Sequence, residues 1–185
     1  MFENFKKIGD EIYVYENFLS ELETKNIVDI LEKLDDDKWI KDGHLLRTDP
    51  LKEIIAVREK IKKMIPDGLH LGLASTATKL IKGDSWGEHS DVHDFLEAEM
   101  LAKNYIEGTP YQELELSVYG LVVYFNKFEG GEIYYPTQNI TYAPNPGDMV
   151  LHSSLPIALH GVKPVISEKR YSYSNHIYKK VKVSA

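Results

Sequence analysis

Ser117-Val118-Tyr119-Gly120-Leu121-Val122-Val123-Tyr124-Phe125, followed after a short connection by Gly130-Gly131-Glu132-Ile133-Tyr134-Tyr135, is the stretch whose reading decides the fold. β-Branched and aromatic side chains fit a pleated, half-buried surface, and a Gly-Gly pair suits a tight turn. The stretch therefore reads as strand, turn, strand. From about Leu69 onward the same texture continues, punctuated by Gly, Pro and Asn, with Asn145-Pro146-Gly147-Asp148 as a further turn into Met149-Val150-Leu151. Arg170 to Tyr178 reads as another strand. Its period of two puts Arg170, Ser172, Ser174 and His176 on one face and Tyr171, Tyr173 and Asn175 on the other. A β-rich sandwich or barrel is expected.

Upstream, Glu11 to Tyr15 reads as a short strand, and helices follow it. Ser20-Glu21-Leu22-Glu23 has the spacing of a capping box, and Ile27, Ile30, Leu31 and Leu34 give a helical apolar stripe that ends near Asp35-Asp36-Asp37. Asp49-Pro50 opens a second helix with the proline in its first turn. Leu51, Ile54, Ile55, Val57, Ile61 and Met64 form its buried face, and Pro66-Asp67-Gly68 closes it. Residues 1–68 thus supply a strand and supporting helices, residues 69–185 the β core, and the whole chain 1–185 reads as one domain. Val92 to Leu116 fits the strand pattern poorly; it reads as a long, lid-like insertion.

Composition narrows the chemistry. With no cysteine among 185 residues, disulfides, thiolate catalysis and Cys-ligated metal sites are excluded, so any metal must be held by nitrogen and oxygen. A formal charge of −7, with no basic run, disfavours a nucleic-acid partner. No stretch of about 20 apolar residues is present to span a bilayer, and the mixed, charged N-terminus lacks the apolar core of a secretory signal. A cytoplasmic protein without a membrane partner is expected.

The chemistry-bearing set is ordered along the chain: His89-x-Asp91, then His160, then Arg170 ten residues later. Two imidazoles and one carboxylate can occupy one face of an octahedral Fe(II), leaving three positions for a bidentate 2-oxo acid and dioxygen. A guanidinium nearby would suit the far carboxylate of 2-oxoglutarate. His152, eight residues before His160, competes with it for the role of distal ligand. His176 shares the face of Arg170, either lining the same cavity or serving as a hydrogen-bonded core residue. Trp86, three residues before His89, either borders a substrate entrance or simply packs. His93 and Asp94 read as lid or substrate contacts, and His44 and His70 have no supporting context.

Taken together, Leu80-Ile81-Lys82-Gly83-Asp84-Ser85-Trp86-Gly87-Glu88-His89-Ser90-Asp91, Tyr124-Phe125-Asn126, Gly130-Gly131-Glu132, Pro146-Gly147-Asp148, His160-Gly161-Val162-Lys163-Pro164-Val165 and Arg170-Tyr171 make the chain resemble the 2-oxoglutarate- and Fe(II)-dependent dioxygenases, in particular their prolyl 4-hydroxylase-like branch. The resemblance implies a double-stranded β-helix, that is, a cupin-like jelly-roll. It assigns the metal to His89, Asp91 and His160, favouring His160 over His152 through the following Gly-Val-x-Pro-Val and the spacing to Arg170. It gives the far carboxylate of 2-oxoglutarate to Arg170, Tyr124 and Ser174, and substrate contacts to Trp86 and His93.

The implied reaction is hydroxylation of a C–H bond with release of succinate and CO2, using Fe(II), 2-oxoglutarate and O2, with ascorbate as an accompanying reductant. A prolyl residue in a peptide or protein is the first-choice substrate. A free amino acid or other small metabolite is the alternative, as is a non-enzymatic sensor that retained the metal and 2-oxoglutarate pocket. Two departures and absences matter. Many relatives carry a Tyr where this chain has Leu80, which cannot donate a hydrogen bond. The second Arg usual in nucleic-acid demethylases is missing after Arg170, while the presence of Asp91 argues against the related halogenases.

Overall fold

Alternation along a few long strands determines what each layer buries. The computed structural model describes residues 4–42, 45–92 and 113–182. In chain order the elements are β1 (Lys6–Gly9), β2 (Ile12–Tyr15), α1 (Glu21–Leu31), β3 (Ile40–Asp42), β4 (Leu45–Arg47), α2 (Lys52–Lys62), β5 (Leu69–Leu71) and β6 (Thr78–Ile81). They continue with β7 (Trp86–His89), β8 (Glu113–Tyr124), β9 (Ile133–Tyr135), β10 (Ile140–Tyr142), β11 (Met149–Ser153), β12 (His160–Val162) and β13 (Lys169–Lys182).

A major sheet runs β1-β2-β11-β8-β13-β6-β4-β3, with β5 also paired to β13, and a minor sheet runs β10-β9-β12-β7. The pairings are antiparallel. Two facing antiparallel sheets, one covered by helices, make the expected mainly β jelly-roll. On the helix side of the major sheet, Leu121, Val123, Leu151, Tyr171, Tyr173 and Ile177 pack with Ile27, Leu31, Ile54, Val57 and Ile61 in one buried cluster. On the other side, Ile12, Val14, Tyr124 and Val150 meet Ile133, Tyr135 and Ala158 between the sheets. Burying one such aliphatic or aromatic side chain contributes about 1.5–3 kcal/mol, so both faces of the major sheet stabilise the fold.

The α1 start follows its sequence signal: Glu23 N donates to Ser20 Oγ at 3.3 Å and Ser20 N to Glu23 Oε2 at 2.7 Å. α2 departs from expectation at its entry. Leu51 is the extended residue that caps it, and Leu51 N–H donates to Ser75 O at 3.3 Å, so Pro50 lies before the cap rather than in the first turn. Ile54, Val57 and Ile61 form the buried stripe, while Ile55 points outward at 42% exposure. The acidic run does not extend α1; Asp36–Lys38 forms a separate 3-10 turn.

β8 begins at Glu113, four residues before Ser117, where the sequence reading started the strand after the 92–116 insertion. The Glu113-Leu114-Glu115-Leu116 alternation has a strand period, and pairing with β13 out to Lys182 holds it in the sheet. Residues 93–112, which include His93, Asp94 and the expected lid, lie outside the described residues, as does His44. Among the described residues no helix is long and apolar enough to cross a membrane.

The Asn145-Pro146-Gly147-Asp148 turn is a fastening point as well as a bend. Asp148 is buried and accepts from Asn17 N at 3.0 Å, Tyr142 hydroxyl at 2.7 Å and Asn145 N at 2.8 Å, tying the segment before α1 to both sheets. Asp148→Ala strands three donors and is expected to destabilise the protein by on the order of 3 kcal/mol, against about 1 kcal/mol for Ser20→Ala at the α1 cap. Urea denaturation of both variants checks the ordering.

Candidate metal centre

His89 ends β7 and His160 begins β12, and the two are direct antiparallel partners. Each ring is oriented by a bond from its own strand: His89 Nδ1 pairs with Gly87 O at 2.9 Å and His160 Nδ1 with Ala158 O at 3.0 Å. A carbonyl can only accept, so each Nδ1 carries the proton and each Nε2 offers a lone pair. Asp91 lies beyond the strand that ends at His89. β7 stops, the chain bends, Ser90 Oγ donates to Val92 O at 2.7 Å, and Val92 N donates to Ser154 O at 3.0 Å on the major-sheet side. That crossing carries Asp91 over the major sheet.

One ligand atom from each of His89, Asp91 and His160 lies within 4.8 Å of the other two. Asp91 Oδ1 is 3.9 Å from His89 Nε2 and 4.0 Å from His160 Nε2. Two further histidines approach the same carboxylate: His152 Nε2 lies 3.3 Å from Oδ2 and His176 Nε2 lies 3.4 Å from Oδ1. Burial pushes the Asp91 carboxyl up, but the hydrogen-bonding contacts from His152 and His176 outweigh it and hold the group well below the usual carboxylate range. Burial, reinforced by neighbouring His152, lowers the His160 pKa to about 3 against the pull of Asp91. The set is an anionic oxygen with neutral imidazole nitrogens beside it, a donor combination suited to a divalent first-row metal.

Beyond this cluster the cavity, about 310 Å³ in volume, is lined by Leu80, Trp86, Val162, Arg170, Ser172 and Ser174 among others. Arg170 is buried, its guanidinium 5.0 Å from the Tyr124 ring and 5.5 Å from the Phe128 ring. Arg170 Nη1 donates to Ser172 Oγ at a long 3.4 Å, and Ser172 Oγ is in turn 2.8 Å from Thr78 Oγ1. Arg170 Nε and the Tyr124 hydroxyl are both buried with no hydrogen-bond partner among the described residues. Burial lowers the Arg170 pKa and raises that of Tyr124, each opposed by the other group. A buried cation beside an unused hydroxyl is a receptor for an anion, a carboxylate in particular.

The β period correctly put Arg170, Ser172, Ser174 and His176 towards one cavity. Ser172, rather than Ser174, is the hydroxyl in contact with Arg170. Leu80 sits opposite Arg170 in the β6–β13 ladder, buried with Leu45 and Val165, so this wall is apolar where a tyrosine hydroxyl would have been polar. Trp86 both packs and borders: it joins that apolar cluster, lines the cavity and lies 5.6 Å from the His89 ring. His152 is close to the centre without belonging to the three-atom set. Gly120 and Tyr135 went unread in the sequence, since neither residue type marks a site until the fold brings it to His152.

Neither a protein-family model nor a curated protein sequence matches the chain. Solved structures do. The viral collagen prolyl hydroxylase of Paramecium bursaria Chlorella virus-1, in its 2-oxoglutarate complex, superposes with a TM-score of 0.67 at 17% identity, over 94% of this chain and 99% of that one. The fold is that of the 2-oxoglutarate–Fe(II) oxygenases. A Pseudomonas putida prolyl-4-hydroxylase gives 0.60 at 13% identity, over 92% of this chain and 93% of its own. HygX from Streptomyces hygroscopicus, solved with nickel and 2-oxoglutarate, gives 0.59 at 13% identity, over 91% and 82%. At these identities the likeness is one of fold, and the prolyl hydroxylases among the neighbours agree with the branch that the motifs resemble.

The Gly130-Gly131 turn keeps the Arg170 end in place, with φ of 67° and 65°. A Cβ on Gly130 would overlap Pro164 O and stand 2.7 Å from Ile166 N, whereas one on Gly131 would stand 2.9 Å from Arg170 Cδ, a side-chain atom. Both alanine variants incur about 1–2 kcal/mol of left-handed strain. Gly130→Ala is expected to be the more destabilising, because backbone cannot step aside, and equilibrium denaturation of the two variants checks that order.

Proposed function

We propose that the protein is an Fe(II)- and 2-oxoglutarate-dependent dioxygenase that hydroxylates a C–H bond, with a prolyl residue of a peptide or protein as the preferred substrate. The observation that carries the reading is the convergence of His89, Asp91 and His160 on one point of a cavity whose other wall holds buried Arg170 beside the buried Tyr124 hydroxyl. Three protein ligands with open positions suit iron, and a buried guanidinium suits the distal carboxylate of the cosubstrate.

His89 and His160 would hold the metal through Nε2, because their Nδ1 protons are engaged by Gly87 and Ala158. Asp91 would hold it through Oδ1, the oxygen nearest both of those nitrogens. When bound, iron and 2-oxoglutarate supply the oxidising power, dioxygen being consumed as 2-oxoglutarate is converted to succinate and CO2 and the substrate C–H to C–OH. Arg170 would anchor the cosubstrate, with Tyr124 donating to the same carboxylate and Ser172 and Ser174 on the adjoining wall. Leu80 and Val165 make that end apolar, which strengthens the ion pair by excluding water. Trp86 would border the substrate, and His93 is the other candidate contact. The protein's contribution is therefore placement and exclusion of water.

A peptide substrate is favoured by the prolyl hydroxylases among the structural neighbours. A small-molecule substrate is the second reading, because HygX shares the fold and has been solved with hygromycin B bound. Anaerobic loading with Fe(II) and 2-oxoglutarate, then exposure to oxygen with a panel of prolyl peptides and metabolites, separates the two by mass spectrometry. A gain of one oxygen on a peptide with matching succinate supports the first reading, and the same gain on a metabolite supports the second. No succinate in any reaction overturns the dioxygenase reading in favour of a sensor; addition of ascorbate tests whether a reductant sustains turnover.

His89→Ala and Asp91→Ala are expected to lower turnover by more than about a hundredfold with the circular dichroism spectrum unchanged, since losing a ligand exceeds the effect of losing an outer contact. Arg170→Ala is expected to raise the apparent KM for 2-oxoglutarate by roughly 10- to 100-fold, the worth of one charge-assisted contact, with a smaller change in kcat. Succinate release measured against 2-oxoglutarate concentration checks both.

A further inference from the structure

The major sheet presents a row of three residues directly beneath Asp91. Gly120 on β8 is the cross-strand partner of His152 on β11 and, on its other side, of His176 on β13. The Asp91 carboxylate lies in the notch over the glycine: a Cβ there would overlap Asp91 Oδ2 and stand 2.6 Å from His152 Nε2. His152 Nε2 is 3.3 Å from Oδ2 and His176 Nε2 is 3.4 Å from Oδ1. We propose that this His-Gly-His row is a cradle of positioning residues that turns Asp91 so that Oδ1 alone meets the metal. The inference rests on the metal-centre reading and goes beyond it to residues that ligate nothing.

The two oxygens have different surroundings. Oδ1 is the one near His89 and His160, as a ligand must be. Oδ2 is buried, has His152 in ion-pair range and makes no well-aligned hydrogen bond among the described residues, so it is held for a donor that closes on it when the carboxylate settles onto an ion. The His152 tautomer fits that task. The Asp91 carboxylate can only accept, which calls for the His152 proton on Nε2 and leaves Nδ1 to accept from the Tyr135 hydroxyl 3.0 Å away, a phenol that burial keeps protonated. With its side chain 2% exposed and its far nitrogen tied to Tyr135, His152 has no freedom to leave, whereas His176 is 40% exposed at the cavity mouth and adjusts to the ligand oxygen.

A carboxylate freed of Oδ2 restraint can swing to bind a metal through both oxygens, taking a position that the cosubstrate or dioxygen needs. The cradle thus predicts a change in metal affinity and coordination that does not depend on turnover. The test uses chelator-treated protein without 2-oxoglutarate, titrated with Mn(II) by calorimetry, and with Co(II), whose visible absorption weakens as its coordination number rises. His152→Phe, which keeps the ring and removes both nitrogens, is expected to weaken Mn(II) binding 10- to 100-fold and to change the Co(II) spectrum, as loss of a ligand's orienting partner does. Tyr135→Phe and His176→Phe shift both readouts in the same direction by less, and His152→Gln, with an amide N–H able to reach Oδ2, restores part of the loss.

Should His152→Phe fail to fold, the Tyr135→Phe and His176→Phe variants decide the matter by the same readouts. Wild-type Mn(II) binding that disappears in Asp91→Ala but stays within twofold in the variants that fold, with an unchanged Co(II) spectrum, overturns the cradle alone. Equal Mn(II) binding by the wild type and Asp91→Ala overturns the metal-centre reading and the cradle with it.

Discussion

The antiparallel pairing of β8 with β13, from Tyr124 opposite Ser172 to Glu113 opposite Lys182, is the constraint from which the rest of the molecule is built. Because strand side chains alternate, one register decides two interiors at once. Leu121, Val123, Tyr171 and Tyr173 face the helices, so Gly120, Arg170, Ser172, Ser174 and His176 face the cavity. A slip of one residue would bury a guanidinium against α1 and α2 and expose two tyrosines to the candidate metal centre. The apolar cluster under the helices therefore protects the register of the polar one.

Within the cavity the problem is to keep like and unlike charges in a small, poorly solvated volume. Four imidazoles surround one carboxylate, and Arg170 stands alone on another part of the wall. Bonds from Gly87 and Ala158 select the neutral tautomers of His89 and His160, so the cluster holds lone pairs rather than competing cations. Arg170, in contrast, lies against the Tyr124 and Phe128 rings with no carboxylate paired to it among the described residues. A buried cation of that kind is costly until an anion arrives, which makes it selective for one. On the proposed reading a dicarboxylate satisfies both ends, one at the iron and one at Arg170.

Much of this was legible along the chain. The Ser20–Glu23 box, the Asn-Pro-Gly-Asp and Gly-Gly turns, and the two-residue period of β13 are local properties, and each folded as its chemistry dictates. Reading failed where a local pattern met a distant partner. Pro50 was displaced from α2 because Ser75 claims the Leu51 N–H; the charged start of β8 is a strand because β13 continues alongside it. Asp91 shares the site of His89 through a bend anchored at Ser154, a contact that their two-residue spacing does not show.

By itself, then, the sequence determined the menu: strands, two helices, tight turns, no thiol ligand, and an ordered His, Asp, His and Arg set whose donor types suit iron and a carboxylate. The tertiary structure alone decided how the histidines divide their work. His152 and His160 are eight residues apart and were rivals in the sequence, yet β11 lies in the major sheet and β12 in the minor one, so their rings, 4.0 Å apart, approach different oxygens of Asp91. It also made Gly120 matter, since a missing side chain has meaning only when a carboxylate lies over it. Periodicity states which way a side chain points, while pairing between remote strands states what it meets, and the chemistry of a site depends on the second.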